Sequence, residues 1–193
     1  MADYSSLVRP DLLGPRLAEA LGDDRWRHPS IKLITGGKSN LTFELTSGAG
    51  TVIVRRPPSG ELLPRAHDMG REARIQRALA PTPVPVAAIL LDDSAGQITG
   101  TPMYVMESVP GHVIRDALPT GYATTVADKH AIAHALVDVL ADLHAVDPVA
   151  VGLGDYGRSQ GFLSRQVDRW TQQWESSKSH DVAAVDGLAQ RLA

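Results

Sequence analysis

Residues 36–40 read GGKSN and stand between an apolar run (Ile31, Leu33, Ile34) and the alternating segment LTFEL. Backbone N–H groups can close on an anion only where no Cβ obstructs the approach, and Gly36 and Gly37 remove that obstruction. Ser39, Asn40 and Thr42 add side-chain hydrogen-bonding groups to the same stretch. A second feature, TVIVRR at 51–56, sets a fixed cation one strand away. That cation is Arg55 or Arg56: adjacent strand positions face opposite ways, so at most one of them enters the same space. A third feature is Glu72, on the helical segment that follows, able to pair with the cation and hold it. The fourth is MYVMESVPG, an extended edge whose free backbone groups could bind a flat base. Loop, cation, carboxylate and edge together suit a nucleoside triphosphate. A plain hairpin turn is the other reading of GGKSN. A P-loop is excluded, because the glycine it needs five positions before Gly37 is Lys32, and LTFEL alternates as a strand where a helix is required.

These residues must be positioned by a particular order of elements. LLGPRLAEAL at 12–21 places Leu13, Leu17 and Leu21 four apart, a short helix stopped by Gly22. Strands are expected at 31–35, 41–46 and 51–56, with SGAG as the turn between the last two and Pro57 and Pro58 ending the third. HDMGREARIQRAL reads as a helix with a stripe of Met69, Ala73, Gln76 and Leu79. VAAILL, a DDSAG turn in which Asp92 and Asp93 serve the turn, and PMYVMESV at 102–109 supply two more strands. The remainder is helical. Ile132, Leu136, Val139, Leu140 and Leu143 form one stripe, with Asp128 able to cap its start. GFLSRQVDRWTQQWE and VAAVDGLAQRLA follow, and Trp170 and Trp174 are expected to pack the helical part. The class is α+β: an antiparallel five-stranded sheet carrying one helix, then helices only. Two such lobes make a cleft whose floor is their connector. The expected division is 1–106 for the nucleotide-binding lobe with its leading helix, 107–112 for the hinge, and 113–193 for the beginning of a helical lobe.

Composition narrows the function. The 193 residues carry 43% hydrophobic and 21% charged side chains, a balance able to bury a core. A formal net charge of -3 gives no broad basic face for nucleic acid or an acidic membrane. No cysteine is present, which removes disulfides, thiolate nucleophiles and Cys-based zinc sites. The N-terminus lacks a signal-peptide core, and VPVAAILL falls far short of the roughly 20 apolar residues of a membrane helix. A cytoplasmic protein is expected.

The strings LITGGKSNLTFEL, VIVRRPP, REARIQRAL, YVMESVPG and ADLHAVDP followed by VGLGDYG cover roughly residues 30 to 175. In that order and spacing the sequence resembles the aminoglycoside phosphotransferase and choline-kinase-like group, whose fold is that of the protein kinases. It is most similar to the bacterial branch related to the domain found beside acyl-CoA dehydrogenases. The resemblance implies ATP or GTP with Mg2+ as cofactor and a small-molecule hydroxyl as phosphate acceptor. Gly36, Gly37, Ser39 and Asn40 match the loop over the nucleotide phosphates, and Arg55 occupies the place of the kinase strand lysine. Glu72 matches the helix glutamate that pairs with it, and Met106 the residue at the back of the adenine pocket. The Glu107 carbonyl and the Val109 N–H match the connector groups that hold adenine.

Two departures from the family pattern carry weight. Arginine stands for lysine at 55, a planar fork in place of a compact ammonium, both able to hold phosphate. The loop reading like His-Gly-Asp followed by Asn, with the catalytic aspartate and the Mg2+ ligands, does not occur in the sequence. Asp155 in LGDYG precedes the expected place of that loop and is not assigned as a ligand. The expectation is a nucleotide-binding piece of a longer phosphotransferase, with the Mg2+ ligands in the part beyond. A non-catalytic nucleotide-binding or protein-interaction module is the alternative. Helices left without partners would expose apolar faces, including part of the Trp170 and Trp174 helix, so dimerisation through the helical lobe, swapping of elements or aggregation is expected. His130 and His134, four apart on one helix, have metal-ligand spacing but no evident third ligand, and are read as exposed; His144 is read as structural.

Overall fold

The computed structural model describes residues 4–35, 40–59, 67–157 and 160–192. The chain divides into two compact units, Met1–Asp147 and Pro148–Ala193.

In the first unit, five strands form one antiparallel sheet in the order β1-β2-β3-β5-β4: β1 Ser30–Ile34, β2 Leu41–Ser47, β3 Gly50–Arg56, β4 Ile89–Asp93 and β5 Met103–Glu107. The period of two in the sequence becomes two differently covered faces. Phe43, Leu45, Val52, Val54, Met103 and Val105 point to one face and are buried there. They meet Val8 of α1 (Ser5–Val8), Leu13, Leu17 and Ala18 of α2 (Pro10–Leu21), and Trp26 of a 3-10 turn at Asp24–Arg27. Tyr104, Ile89 and Met106 pack on the other face against Met69 and Ala73 of α3 (Met69–Leu79). The leading helices thus form a second layer, more extensive than the single short helix expected from the sequence.

Local chemistry sets the ends of these elements. Pro10 opens α2, where a missing N–H costs nothing, and Gly22 closes it in the left-handed region at φ 66°. Asp68 caps α3 by accepting from the Arg71 N–H at 3.0 Å. Asp93 is buried and accepts from the Gln97 and Ile98 amides at 2.6 and 2.9 Å, folding the turn that returns the chain to β5. Asp92 serves the same turn, accepting from the Ser94 amide at 2.9 Å, and also pairs with Arg77 on α3. The last strand stops at Glu107, short of the expected 109, where its pairing with β3 ends at Val52.

Helix α4 (Val126–Ala145) begins two residues before the expected cap. Thr125 is its N-cap and Asp128 the reciprocal N3 partner of a capping box, so Asp128 supports the start from inside the helix. Its apolar residues Leu136, Val137, Leu140 and Leu143 are exposed, as are His130, His134 and His144.

The second unit contains α5 (Phe162–Ser177) and α6 (Ala183–Leu192), tied by the Trp174 indole N–H donating to Asp186 at 2.9 Å. Trp170 is exposed in place of the packed position expected for it, whereas Trp174 turns its indole edge toward α6. Among the described residues, no helix is long and apolar enough to cross a membrane.

One glycine is required by close approach. A Cβ on Gly14 would lie 2.2 Å from the Arg27 carbonyl oxygen, where α2 supports the turn carrying Trp26. Substitution with alanine gains helix propensity of about 1 kcal/mol yet forces backbone apart, so Gly14→Ala is expected to destabilise by about 1–3 kcal/mol net. Urea unfolding of both proteins checks this, and an unchanged or raised midpoint in the variant contradicts it.

Candidate nucleotide site

Register brings the polar residues of the α3-covered face together. Thr42 of β2 pairs with Arg55 of β3, which pairs with Tyr104 of β5, so all three share one face. Glu72 reaches them from the first turn of α3. Its Oε2 accepts from Arg55 Nε at 2.6 Å and from the Tyr104 hydroxyl at 3.1 Å, while Oε1 accepts from Asn40 Nδ2 at 2.7 Å. Gln76, one turn further along α3, donates to the Tyr104 oxygen at 3.1 Å. His67, just before α3, lies with Nδ1 2.5 Å from Asn40 Oδ1.

The Arg55–Glu72 pair is two-thirds buried on each side, with side-chain exposures of 32%. Among the described residues only Nε of Arg55 is used. Among the described residues its two terminal nitrogens have no hydrogen-bond partner, so the fork is held at its base with its donors available. Arg56 takes the opposite course. It is 6% exposed on the α1-covered face, where it donates to the Leu7 and Pro57 carbonyls at 2.5 and 3.0 Å, and burial lowers its pKa. Strand alternation therefore places Arg55, and not Arg56, beside Glu72.

The remaining sequence-proposed residues fall as follows. Gly36, Gly37 and Ser39 lie outside the described residues. Asn40 is 7% exposed and is held between Glu72 and His67. Met106 is half-buried against the Met69, Ala73 and Tyr104 cluster, on the α3-covered side of the sheet. Glu107 pairs with Val52, and its amide donates to the Ala88 carbonyl at 2.9 Å. Val109 lies beyond the end of β5 and is 65% exposed. Three of the proposed residues, Asn40, Arg55 and Glu72, thus form one bonded cluster, while Met106, Glu107 and Val109 follow along β5 and its exit.

Sequence reasoning alone misses the roles of Tyr104, Gln76 and His67. For Tyr104 a signal is present: in MYVME it alternates with buried Met103 and Val105, which assigns it to the face of Arg55. Gln76 stands out only as part of a helix stripe, with no partner indicated. The meeting of His67 with Asn40 spans 27 positions and leaves no local pattern.

Among the described residues, no group of three or more His, Asp and Glu side chains could hold a metal ion, and the carboxylate of Glu72 is already engaged by three protein donors.

Comparison with known proteins bears on this geometry. Residues 30–193 match the sequence profile of the phosphotransferase enzyme family (APH). The chain is 39% identical over 165 residues to rat acyl-CoA dehydrogenase family member 11, covering 84% of this chain and 21% of the relative. It is 37% identical over 171 residues to the human member 11, covering 89% and 22%. The chain thus spans about a fifth of the length of these relatives. Among solved structures, a protein from Ralstonia eutropha described as a candidate aminoglycoside phosphotransferase superposes with a TM-score of 0.68 at 34% identity, over 84% of this chain and 46% of that one.

The buried tyrosine gives the cluster a measurable signature. Burial, and next the adjacent Glu72 charge, push Tyr104 up to about 12 from its ordinary 10. The unfolded chain ionises first as pH rises, so Tyr104 contributes stability fully below about pH 10 and loses it on the way to about 12. Unfolding free energies taken from about pH 9 to about pH 11.5 should fall by roughly 1–2 kcal/mol more in wild type than in Tyr104→Phe. Parallel pH dependences in the two proteins would remove Tyr104 from this account.

Proposed function

The chain belongs to the phosphotransferase enzyme family, and on that premise we propose that it forms the nucleotide-binding part of an ATP-dependent kinase acting on a small-molecule hydroxyl. The observation that carries the reading is Arg55, fixed through Nε by Glu72 with its terminal nitrogens unpartnered among the described residues. In this reading residues 1–106 bind the nucleotide, 107–112 are the hinge and 113–193 begin the helical lobe.

The chemistry asked of these residues is positioning and charge neutralisation. A phosphoryl group in transfer spreads negative charge over its peripheral oxygens, and a guanidinium already oriented before the substrate arrives stabilises that charge without reorganising. Glu72 supplies the orientation, because a bond at Nε fixes the plane of the fork. Partial burial strengthens the attraction between Arg55 and phosphate relative to open water. The half-buried Met106 offers an apolar surface for a base, with the Glu107 carbonyl and Val109 amide as its polar partners at the strand end. ATP brings Mg2+ with it, and that ion neutralises phosphate charge. The described residues offer it no cluster of ligands, so the chain by itself is proposed to bind nucleotide without turnover.

Titration calorimetry with Mg-ATP tests the reading. Wild type should bind, and Arg55→Ala should bind at least about tenfold more weakly, equivalent to about 1.4 kcal/mol. Arg55→Lys, which keeps the charge but not the fork, should fall between them. Equal affinity in wild type and Arg55→Ala would falsify the role given to this arginine.

A further inference from the structure

The residue at the end of the glycine-containing loop is committed to the protein at both ends of its amide. Asn40 is nearly buried; its Nδ2 donates to Glu72 Oε1 at 2.7 Å, and its Oδ1 faces His67 Nδ1 at 2.5 Å. This fixes the chemistry of the histidine: an amide oxygen can only accept, so Nδ1 of His67 carries a proton, in the neutral ring as in the charged one. The donor order is therefore His67 to Asn40 to Glu72, and Glu72 also receives Arg55 and Tyr104. Side chains from the approach to β2, from β3, from β5 and from the turn before α3 are thereby linked to a single carboxylate.

We infer that Asn40 and His67 are positioning residues: they form a strap from His67 through Asn40 to Glu72, so that the carboxylate holds the Arg55 fork oriented for the nucleotide phosphates. This deepens the reading proposed above and rests on it. Asn40 then acts through Glu72 and touches no phosphate itself. Loss of Asn40 affects phosphate recognition and leaves the base site alone. Its effect disappears once Glu72 is gone. At position 67, an asparagine, whose Nδ2 can stand near the place of the histidine Nδ1, serves nearly as well as histidine.

The test measures binding of two probes, Mg-ATP and adenosine, to the full chain and its variants. Asn40→Ala should weaken Mg-ATP about tenfold and adenosine less than about twofold. The double variant Asn40→Ala/Glu72→Ala should bind Mg-ATP no more than about threefold more weakly than Glu72→Ala alone, the mark of residues acting as a unit. His67→Ala should weaken Mg-ATP about threefold, with His67→Asn close to wild type. Multiplying effects in the double variant make Asn40 a direct ligand and overturn the strap. Equal losses for Mg-ATP and adenosine reduce it to a fold-maintaining contact and overturn it too. A wild-type measurement guards against variants that fail to fold: nitrogen-15 NMR of the imidazole rings should find Nδ1 of His67 protonated, and a bare Nδ1 overturns the strap on its own. If wild type binds no Mg-ATP while Nδ1 is protonated, the nucleotide reading falls, and with it the positioning role, leaving the hydrogen-bonded chain as structure only.

Discussion

The polar organisation of the first unit depends on one carboxylate. Glu72 receives hydrogen bonds from Asn40, Arg55 and Tyr104, and each donor comes from a different segment. A partly buried anion has to be matched in this way, because leaving any of its acceptors unserved costs the desolvation of that atom. The consequence is geometric more than energetic. An ion pair with a third of each side chain in solvent adds little stability by itself. What it adds is direction: α3, β3, β5 and the entry to β2 cannot shift independently without breaking a bond to the same group.

That constraint sits on a scaffold whose stability comes from elsewhere. One face of the sheet is covered by α1, α2 and the turn bearing Trp26, with Phe43, Leu45, Val54, Met103 and Val105 at its centre. Most of the buried apolar side chains belong to this layer. The other face has a smaller apolar cluster of Met69, Ala73 and Tyr104, and beside it the polar hub. Tyr104 belongs to both. Its ring packs in the cluster, and its hydroxyl takes one bond from Gln76 while giving one to Glu72. Burial of a tyrosine is tolerable under these conditions because its single polar atom is satisfied in both capacities.

Much of this organisation is legible in the amino-acid sequence, and the reasons differ by element. The strands and their order along the chain follow from alternation in LTFEL and TVIVRR and from the prolines and glycines that punctuate them. The pairing of Arg55 with Glu72 is implied by family resemblance, and the atoms lie 2.6 Å apart. The extent of the N-terminal layer is not legible, because Trp26 is delivered by a four-residue turn with no periodic pattern. Strand β5 ends two residues earlier than its composition suggests, since apolar content alone does not show where a ladder loses its partner. Position in a glycine-containing loop suggests Asn40 as a phosphate ligand. Its engagement by Glu72 at 32 positions and His67 at 27 is tertiary information that no window of sequence contains.

The adjacent arginines show how far a local rule can carry a functional assignment. Arg55 and Arg56 are identical in chemistry, and either could neutralise a phosphate. The strand's period of two separates them: Val52 and Val54 are buried on one face, and Arg56, two positions on, must follow them inward. Once there it meets the Leu7 and Pro57 carbonyls in place of a carboxylate, and burial disfavours its charge. It fastens α1 to the end of β3, a task that engages its donors. Arg55, facing the other way, meets a carboxylate at Nε and keeps its fork. The same side chain becomes a structural tie or a candidate anion clamp according to parity in the strand, and the parity is set by the valines that fill the core.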